Sequence, residues 1–208
     1  MRLGIFGGTF DPIHWGHLIL AETCREELGL DEVWFMPAAL NPHKQGRSIS
    51  SAKDRLEMVR FAIAGNPHFR VSNLEIKRQG PSYTVDTLRT IREGRLDEDF
   101  FLMIGQDSVA DFPRWKEPDE ILRLATLAVV NRGRERPDLD AFAKQLGEEA
   151  LDRVVEVEMP AIDISATDIR RRAQEGRSLR YRMPRSVELY LLQNQLYTSE
   201  NPAEDSEG

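Results

Sequence analysis

The chain has 208 residues, of which 40% are hydrophobic and 30% charged, a length for one domain or two, able to bury about 70% of its unfolded surface without staples. The balance of 28 basic against 35 acidic residues gives −7, which speaks against a general nucleic-acid binder with a broad basic face but leaves a small anionic ligand open. Cys24 stands alone, excluding an intrachain disulfide and a multi-cysteine metal site.

In chain order, short apolar runs alternate with helical spacing. The first run, 2–6, is too short for the apolar core of a signal peptide, and no stretch reaches the roughly 18 apolar residues of a membrane span. The expectation is a soluble, cytoplasmic protein. Residues 2–6 predict a strand, and Leu18, Ala21 and Leu28 mark a helix face behind it. Residues 32–36 predict a second strand. Ser51 and Asp54 resemble a capping box ahead of the apolar face Leu56, Val59, Ile63. Strands are then expected at 70–76, 100–104, 125–130 and 153–157, and helices at 84–92 and 138–146. Strand–helix alternation predicts an α/β fold: one Rossmann-like, doubly wound parallel sheet with helices on both faces. Such sheets take ligands at the carboxyl ends of their strands.

There is no internal repeat. Residues 1–197 read as a single domain. Residues 198–208 carry four acids, no base and no large apolar residue, and are expected to be a disordered acidic tail. The tail holds four of the seven net negative charges, so the body is only −3.

The strongest signal is the turn after the first strand, Gly7-Gly8-Thr9-Phe10-Asp11-Pro12-Ile13-His14-Trp15-Gly16-His17. Glycines let a backbone approach a ligand where a Cβ would clash. The N–H groups of a helix N-terminus favour an anion, most commonly phosphate. His14 and His17, three residues apart, can donate toward charge on a reacting phosphate. Taken singly, the pieces have plainer readings: two glycines are often only a turn, and two histidines a metal pair. Neither Gly-x-Gly-x-x-Gly nor the lysine-bearing phosphate loop is present, nor the His-Glu-x-x-His of zinc proteases.

A second candidate cradle lies far along the chain. Ser165 can cap a helix starting at Ala166, with Asp168 three residues on, exposing hydroxyls and backbone donors at a positive helix end. Arg170, Arg171 and Arg172 follow, but successive helical residues diverge and cannot all face one ligand. A capped, solvated basic helix stays open as the plain reading of this segment.

His14-Trp15-Gly16-His17 resembles the His-x-Gly-His signature of the nucleotidyltransferase superfamily. Ile164-Ser165-Ala166-Thr167-Asp168-Ile169-Arg170 resembles its second mark, Ile-Ser-x-Thr-x-x-Arg. Between them lie Met36-Pro37-Ala38-Ala39-Leu40-Asn41-Pro42-His43-Lys44, Ser82-Tyr83-Thr84, Ile104-Gly105-Gln106-Asp107-Ser108 and Phe112-Pro113-Arg114-Trp115-Lys116. With the end pattern Val187-Glu188-Leu189-Tyr190 and Asn194-Gln195-Leu196-Tyr197, these are similar to the bacterial-type nicotinate-nucleotide adenylyltransferases of NAD biosynthesis. The resemblance runs from Met1 to Tyr197.

The resemblance implies adenylyl transfer from ATP to nicotinate mononucleotide, giving deamido-NAD and pyrophosphate by direct in-line attack. It implies His14, His17 and Lys44 as catalytic residues. ATP would be held by Gly7, Gly8, Thr9, Phe10, His14, His17, Gly105, Asp107, Ile164, Ser165, Thr167 and Arg170, with Arg170 on the β,γ-phosphates and Asp107 on a ribose hydroxyl. Thr9, Lys44, Tyr83, Thr84, Trp115 and Lys116 would hold the nicotinate nucleotide, Lys116 through its backbone N–H. Ala166 departs from the small hydroxyl frequent at that position, so only a backbone contact is expected there. Mg²⁺ would ride mainly on ATP oxygens and water, with no protein metal site, no nucleic-acid partner and no membrane. From the residues alone, Lys44 also reads as a surface lysine and Trp115 as a core tryptophan. A nicotinamide- or pantetheine-directed relative, an idle nucleotide-binding module and an RNA binder standing on the arginine run are the competing functions.

Overall fold

A computed structural model describes residues 1–39, 50–78, 80–131 and 137–198. Its centre is a six-stranded sheet: β1 (Arg2–Gly8), β2 (Glu32–Pro37), β3 (Phe69–Val71), β4 (Asp99–Gly105), β5 (Thr126–Asn131) and β6 (Val154–Glu158). The order is β3-β2-β1-β4-β5-β6 and every pairing is parallel. This is the doubly wound arrangement expected from the alternation. The strand order reverses between β1 and β4, which opens a crevice beyond their carboxyl ends.

The strands are apolar on both faces because both faces are covered. On one side Phe6, Phe35, Met103, Ala128 and Val157 meet α1 (Trp15–Glu27), α2 (Ala52–Ile63), α7 (Ala166–Gln174) and α8 (Arg185–Gln193) through Ala21, Met58, Ile169 and Val187. On the other, Leu3, Ile5, Leu102, Ile104 and Val129 meet α4 (Thr84–Arg92), α5 (Pro118–Leu124) and α6 (Leu139–Leu146) through Val85, Leu88, Ile121 and Phe142. Each large apolar side chain buried this way contributes roughly 1.5–3 kcal/mol. Two helix starts follow the expected chemistry. Ser51 Oγ accepts the Asp54 N–H at 3.1 Å, and Ser165 Oγ accepts the Asp168 N–H at 3.2 Å.

One expected strand is shorter than its pattern. Of residues 70–76 only the first two are in β3, and the chain turns into α3 (Leu74–Arg78). Ser72 and Asn73 break the strand: Ser72 Oγ accepts the Leu74 N–H at 3.3 Å, and the Asn73 carbonyl accepts the Lys77 N–H at 3.0 Å. Short polar side chains of this kind compete with strand pairing by bonding nearby backbone. The apolar spacing also left α5 and α8 unpredicted. Pro118 and Pro184 mark their starts, a position where proline loses no needed hydrogen bond. Among the described residues no helix is long and apolar enough to cross a membrane.

Candidate active site

The turn that leaves β1 is built by packing as much as by its glycines. Phe10 has φ +50°, a left-handed conformation rare for a bulky residue. It persists because its ring is locked edge-on against Phe6 at 5.4 Å and His17 at 5.2 Å, and tilted against Phe35 at 5.8 Å. A Cβ on Gly8 would come within 2.8 Å of that ring, so glycine is required there. The Phe10 ring is therefore a buried strut.

α1 starts directly behind this turn, with His14 at its cap. The two histidine rings stack, with centroids 3.7 Å apart and planes inclined 26°. His17 Nδ1 accepts the His14 backbone N–H at 3.2 Å. That bond assigns the proton of a neutral ring to Nε2, which becomes a directed donor. Gly16 makes the stacking possible, since a Cβ there would meet the His14 ring at 3.1 Å and lie 3.7 Å from the Ile164 carbonyl oxygen.

A cavity of about 640 Å³ opens over the carboxyl ends of β1 and β4, within the 300–1,000 Å³ typical of small-molecule sites. Gly7, Gly8, Thr9, Phe10 and His17 form one wall. Gly105 and Asp107 lie on its floor, and Tyr83, Thr84, Trp115 and Lys116 form the far wall. Sequence-distant segments are thus gathered around one space. Thr9 Oγ1 is buried and has no hydrogen-bond partner among the described residues. Tyr83 caps α4 and Thr84 is its first residue, so the positive end of a helix lies at the cavity. Trp115 stands half-buried with its ring 5.3 Å from that of Phe112. The Lys116 ammonium turns outward, bonding both Asp86 carboxylate oxygens at 3.0 and 3.2 Å and lying 4.8 Å from the Tyr83 ring centre.

His14, buried at 3% exposure, sits behind His17 and does not line the cavity. Ile164, Ser165, Thr167 and Arg170 lie beside the first turn. Arg170 joins the two motifs: its Nη1 donates to the Asp11 carbonyl at 2.9 Å, and its Nη2 to Thr167 Oγ1 at 3.3 Å. Arg171 and Arg172 do not join them. Arg171 pairs with Asp168 at 2.6 Å, and Arg172 donates to the Ser178 carbonyl at 3.0 and 2.8 Å. Lys44 lies outside the described residues. So do residues 199–208, nearly all of the expected acidic tail. Among the described residues no group of three or more His, Cys, Asp or Glu is placed to hold a metal ion.

Several residues of the site went unread in the sequence. Arg55, 1% exposed, sits on the apolar stripe of α2 and donates to four backbone carbonyls. These are Thr9 at 2.9, Ala38 at 2.7, Ala39 at 3.3 and Ser50 at 3.0 Å. Burial pushes its guanidinium pKa down, and the nearby Asp11 and Tyr197 oppose that. Glu75 lines the cavity and accepts the Thr87 hydroxyl at 2.8 Å. Burial pushes its carboxyl pKa up, with Thr87 and Ser82 pulling back. Ser82 Oγ accepts the Ala39 N–H at 3.0 Å, tying the segment before α4 to the segment after β2. The one signal in the sequence for Arg55 was an arginine interrupting an apolar face.

A cytidylyltransferase-like family profile matches residues 5–172. A probable nicotinate-nucleotide adenylyltransferase from Thermomicrobium roseum is 48% identical over 94% of this chain and 91% of its own length. The like-named protein from Geobacillus thermodenitrificans is 39% identical over 99% of this chain and 90% of its own. Among solved structures, the Plasmodium falciparum nicotinic acid mononucleotide adenylyltransferase complexed with NaAD superposes with a TM-score of 0.76, at 19% identity, over 94% of this chain and 97% of that one. At that identity the structural likeness speaks for the fold alone.

Proposed function

The chain belongs to the cytidylyltransferase-like family and, within it, to the nicotinate-nucleotide adenylyltransferases, and from that premise we propose how its residues carry the transfer of AMP from ATP to nicotinate mononucleotide. The acceptor's phosphate oxygen attacks the α-phosphorus of ATP in line. The bond from that phosphorus to the bridging oxygen breaks, pyrophosphate leaves, and deamido-NAD is formed. The nucleophile is already anionic, so no strong base and no covalent intermediate are needed. Alignment and charge stabilisation supply the rate.

ATP takes the wall of Gly7, Gly8, Thr9 and the Phe10 backbone, with the adenosine reaching Gly105 and Asp107. His17 Nε2 donates to oxygens on the reacting phosphate, and His14 holds the His17 ring in that aim. Arg170, with Ser165, Thr167 and the backbone after Ile164, takes the outer phosphates. Lys44 adds a point charge from the segment after β2. The nicotinate nucleotide takes the opposite wall, its ring beside Tyr83 and Trp115 and its carboxylate at the α4 N-terminus, with Thr84 and the Lys116 N–H as donors. Mg²⁺ would come with the triphosphate, held mainly by ATP oxygens and water, while Asp107 takes a ribose hydroxyl. When bound, the ion neutralises charge on the phosphate oxygens. Residues 1–197 make up the catalytic unit, and the cytoplasm holds both substrates.

The observation that carries this reading is that the glycine turn with His17 and the Tyr83–Thr84 and Trp115–Lys116 segments line one cavity. The test is turnover of purified protein with MgATP and nicotinate mononucleotide, nicotinamide mononucleotide or phosphopantetheine side by side. Nicotinate mononucleotide is expected to be used best, with residual use of the amide, because neutral donors discriminate only by degree. Equal or better turnover of another acceptor overturns the substrate.

A further inference from the structure

The last described turn of the chain returns to the first. Leu196 and Tyr197 follow α8, with the Leu196 N–H on the Leu191 carbonyl at 3.0 Å. Tyr197 is 2% exposed, and its φ of +60° is a strained conformation that persists only where the surroundings over-determine it. Its ring belongs to the apolar cluster under α1, α2 and α8. Its hydroxyl donates to Asp11 Oδ1, a residue 186 positions earlier. Ring packing alone would be met by phenylalanine; the hydroxyl adds a bond aimed at one carboxylate.

That carboxylate is a junction. Asp11 is itself 2% exposed and also accepts the Ser50 N–H, at 3.3 Å to Oδ1 and 3.4 Å to Oδ2. The same residue's backbone carbonyl receives Arg170 Nη1 at 2.9 Å. Asp11 therefore links the turn leading into His14, the start of α2 and the arginine of the second motif. We propose that Tyr197 is a positioning residue for adenylyl transfer: by fixing the Asp11 carboxylate it sets where the Asp11 carbonyl holds the Arg170 guanidinium beside the first turn. The proposal rests on the reading of Arg170 as a phosphate donor. Burial and the Asp11 charge push the Tyr197 phenol pKa well above its usual value, so it stays a hydrogen donor throughout the neutral range.

The test is Tyr197→Phe, which keeps the ring and removes only the hydroxyl with its bonds to Asp11 and Ser50. The expected result is a kcat about tenfold lower, the scale of one misplaced transition-state contact, with KM for nicotinate mononucleotide within about twofold. The assay is run well below the variant's own melting temperature, so lost stability does not enter. A kcat within about twofold of the parent overturns the proposal. In an Arg170→Ala background the same substitution is expected to change kcat less than about twofold, because coupled residues are not additive. A full tenfold loss there overturns the coupling through Arg170. If Tyr197→Phe does not fold, Asp11→Asn replaces it: it keeps an acceptor for Ser50 but weakens the junction, and unchanged kcat overturns the proposal equally. Failure of the underlying reading shows separately, as absent turnover in the parent or an Arg170→Ala variant as active as the parent.

Discussion

The two candidate phosphate cradles that the sequence shows in such similar terms, each a small polar segment opening a helix, are built in opposite ways. At the first, Asp11, His14 and Arg55 are all at most 3% exposed, and Asp11 and Arg55 are tied by bonds to other segments. At the second, Ser165 and Thr167 are exposed, the Arg171 side chain keeps 60% of its surface, and the Ser165, Thr167 and Arg171 side chains bond within the helix and its cap. Donors fixed in a buried frame cost little reorganisation when charge develops beside them. Donors on a solvated helix end bind a phosphate but are screened by water and salt. On the proposed function, this difference predicts that the rate advantage resides in the first turn and that the second motif chiefly contributes affinity, apart from Arg170, which is anchored to Asp11.

Substitutions can break or sharpen that division. The largest effect is expected at His17. His17→Ala should lower kcat by at least tenfold and on the order of a hundredfold, as when an oriented donor to a transition state is removed, with much less loss of affinity for a non-hydrolysable ATP analogue. Steady-state kinetics and a binding titration check it; a proportionate loss of binding would assign His17 to ground-state affinity instead. Next comes the frame itself. Arg55→Met removes the donor to four buried carbonyls and should cost about 3 kcal/mol or more, read as a lower midpoint in urea unfolding. A loss below 1 kcal/mol would mean the first turn holds without its clamp. The smallest effects belong to α7: Ser165→Ala should cost about 1 kcal/mol for the lost cap, and Arg171→Ala should leave the unfolding midpoint and turnover unchanged. A marked fall in turnover on losing Arg171 would erase the contrast between the cradles.

Legibility followed the same division. Capping by Ser51 and Ser165, and the helix after the glycine turn, are local effects of side chains on their own backbone, and spacing alone reveals them. The cavity walls were legible as segments through family resemblance, from Gly7 to Lys116, but not as surfaces facing one another. Phe10 lines the cavity, while its ring packs into the core against Phe6 and Phe35, a placement no local pattern reveals. The strand expected through residue 76 stops at Val71, because Ser72 and Asn73 bond their own neighbours, and this leaves Glu75 at the cavity wall.

The residues by themselves determined the alternation of strand and helix, hence a parallel sheet with its site at the strand ends, and the two motifs that mark adenylyl transfer. The alternation follows from periodicity and short-range bonding, which act over a few positions; the meaning of the motifs came from family resemblance. Only the tertiary structure decided that Arg55 would serve backbone carbonyls from inside the core, that His14 would sit behind His17, and that Tyr197 would close on Asp11. Those are partners of buried polar groups. Desolvation obliges such groups to find partners wherever the fold brings a donor and an acceptor together, at separations of up to 186 residues, where no local pattern in the chain records the match.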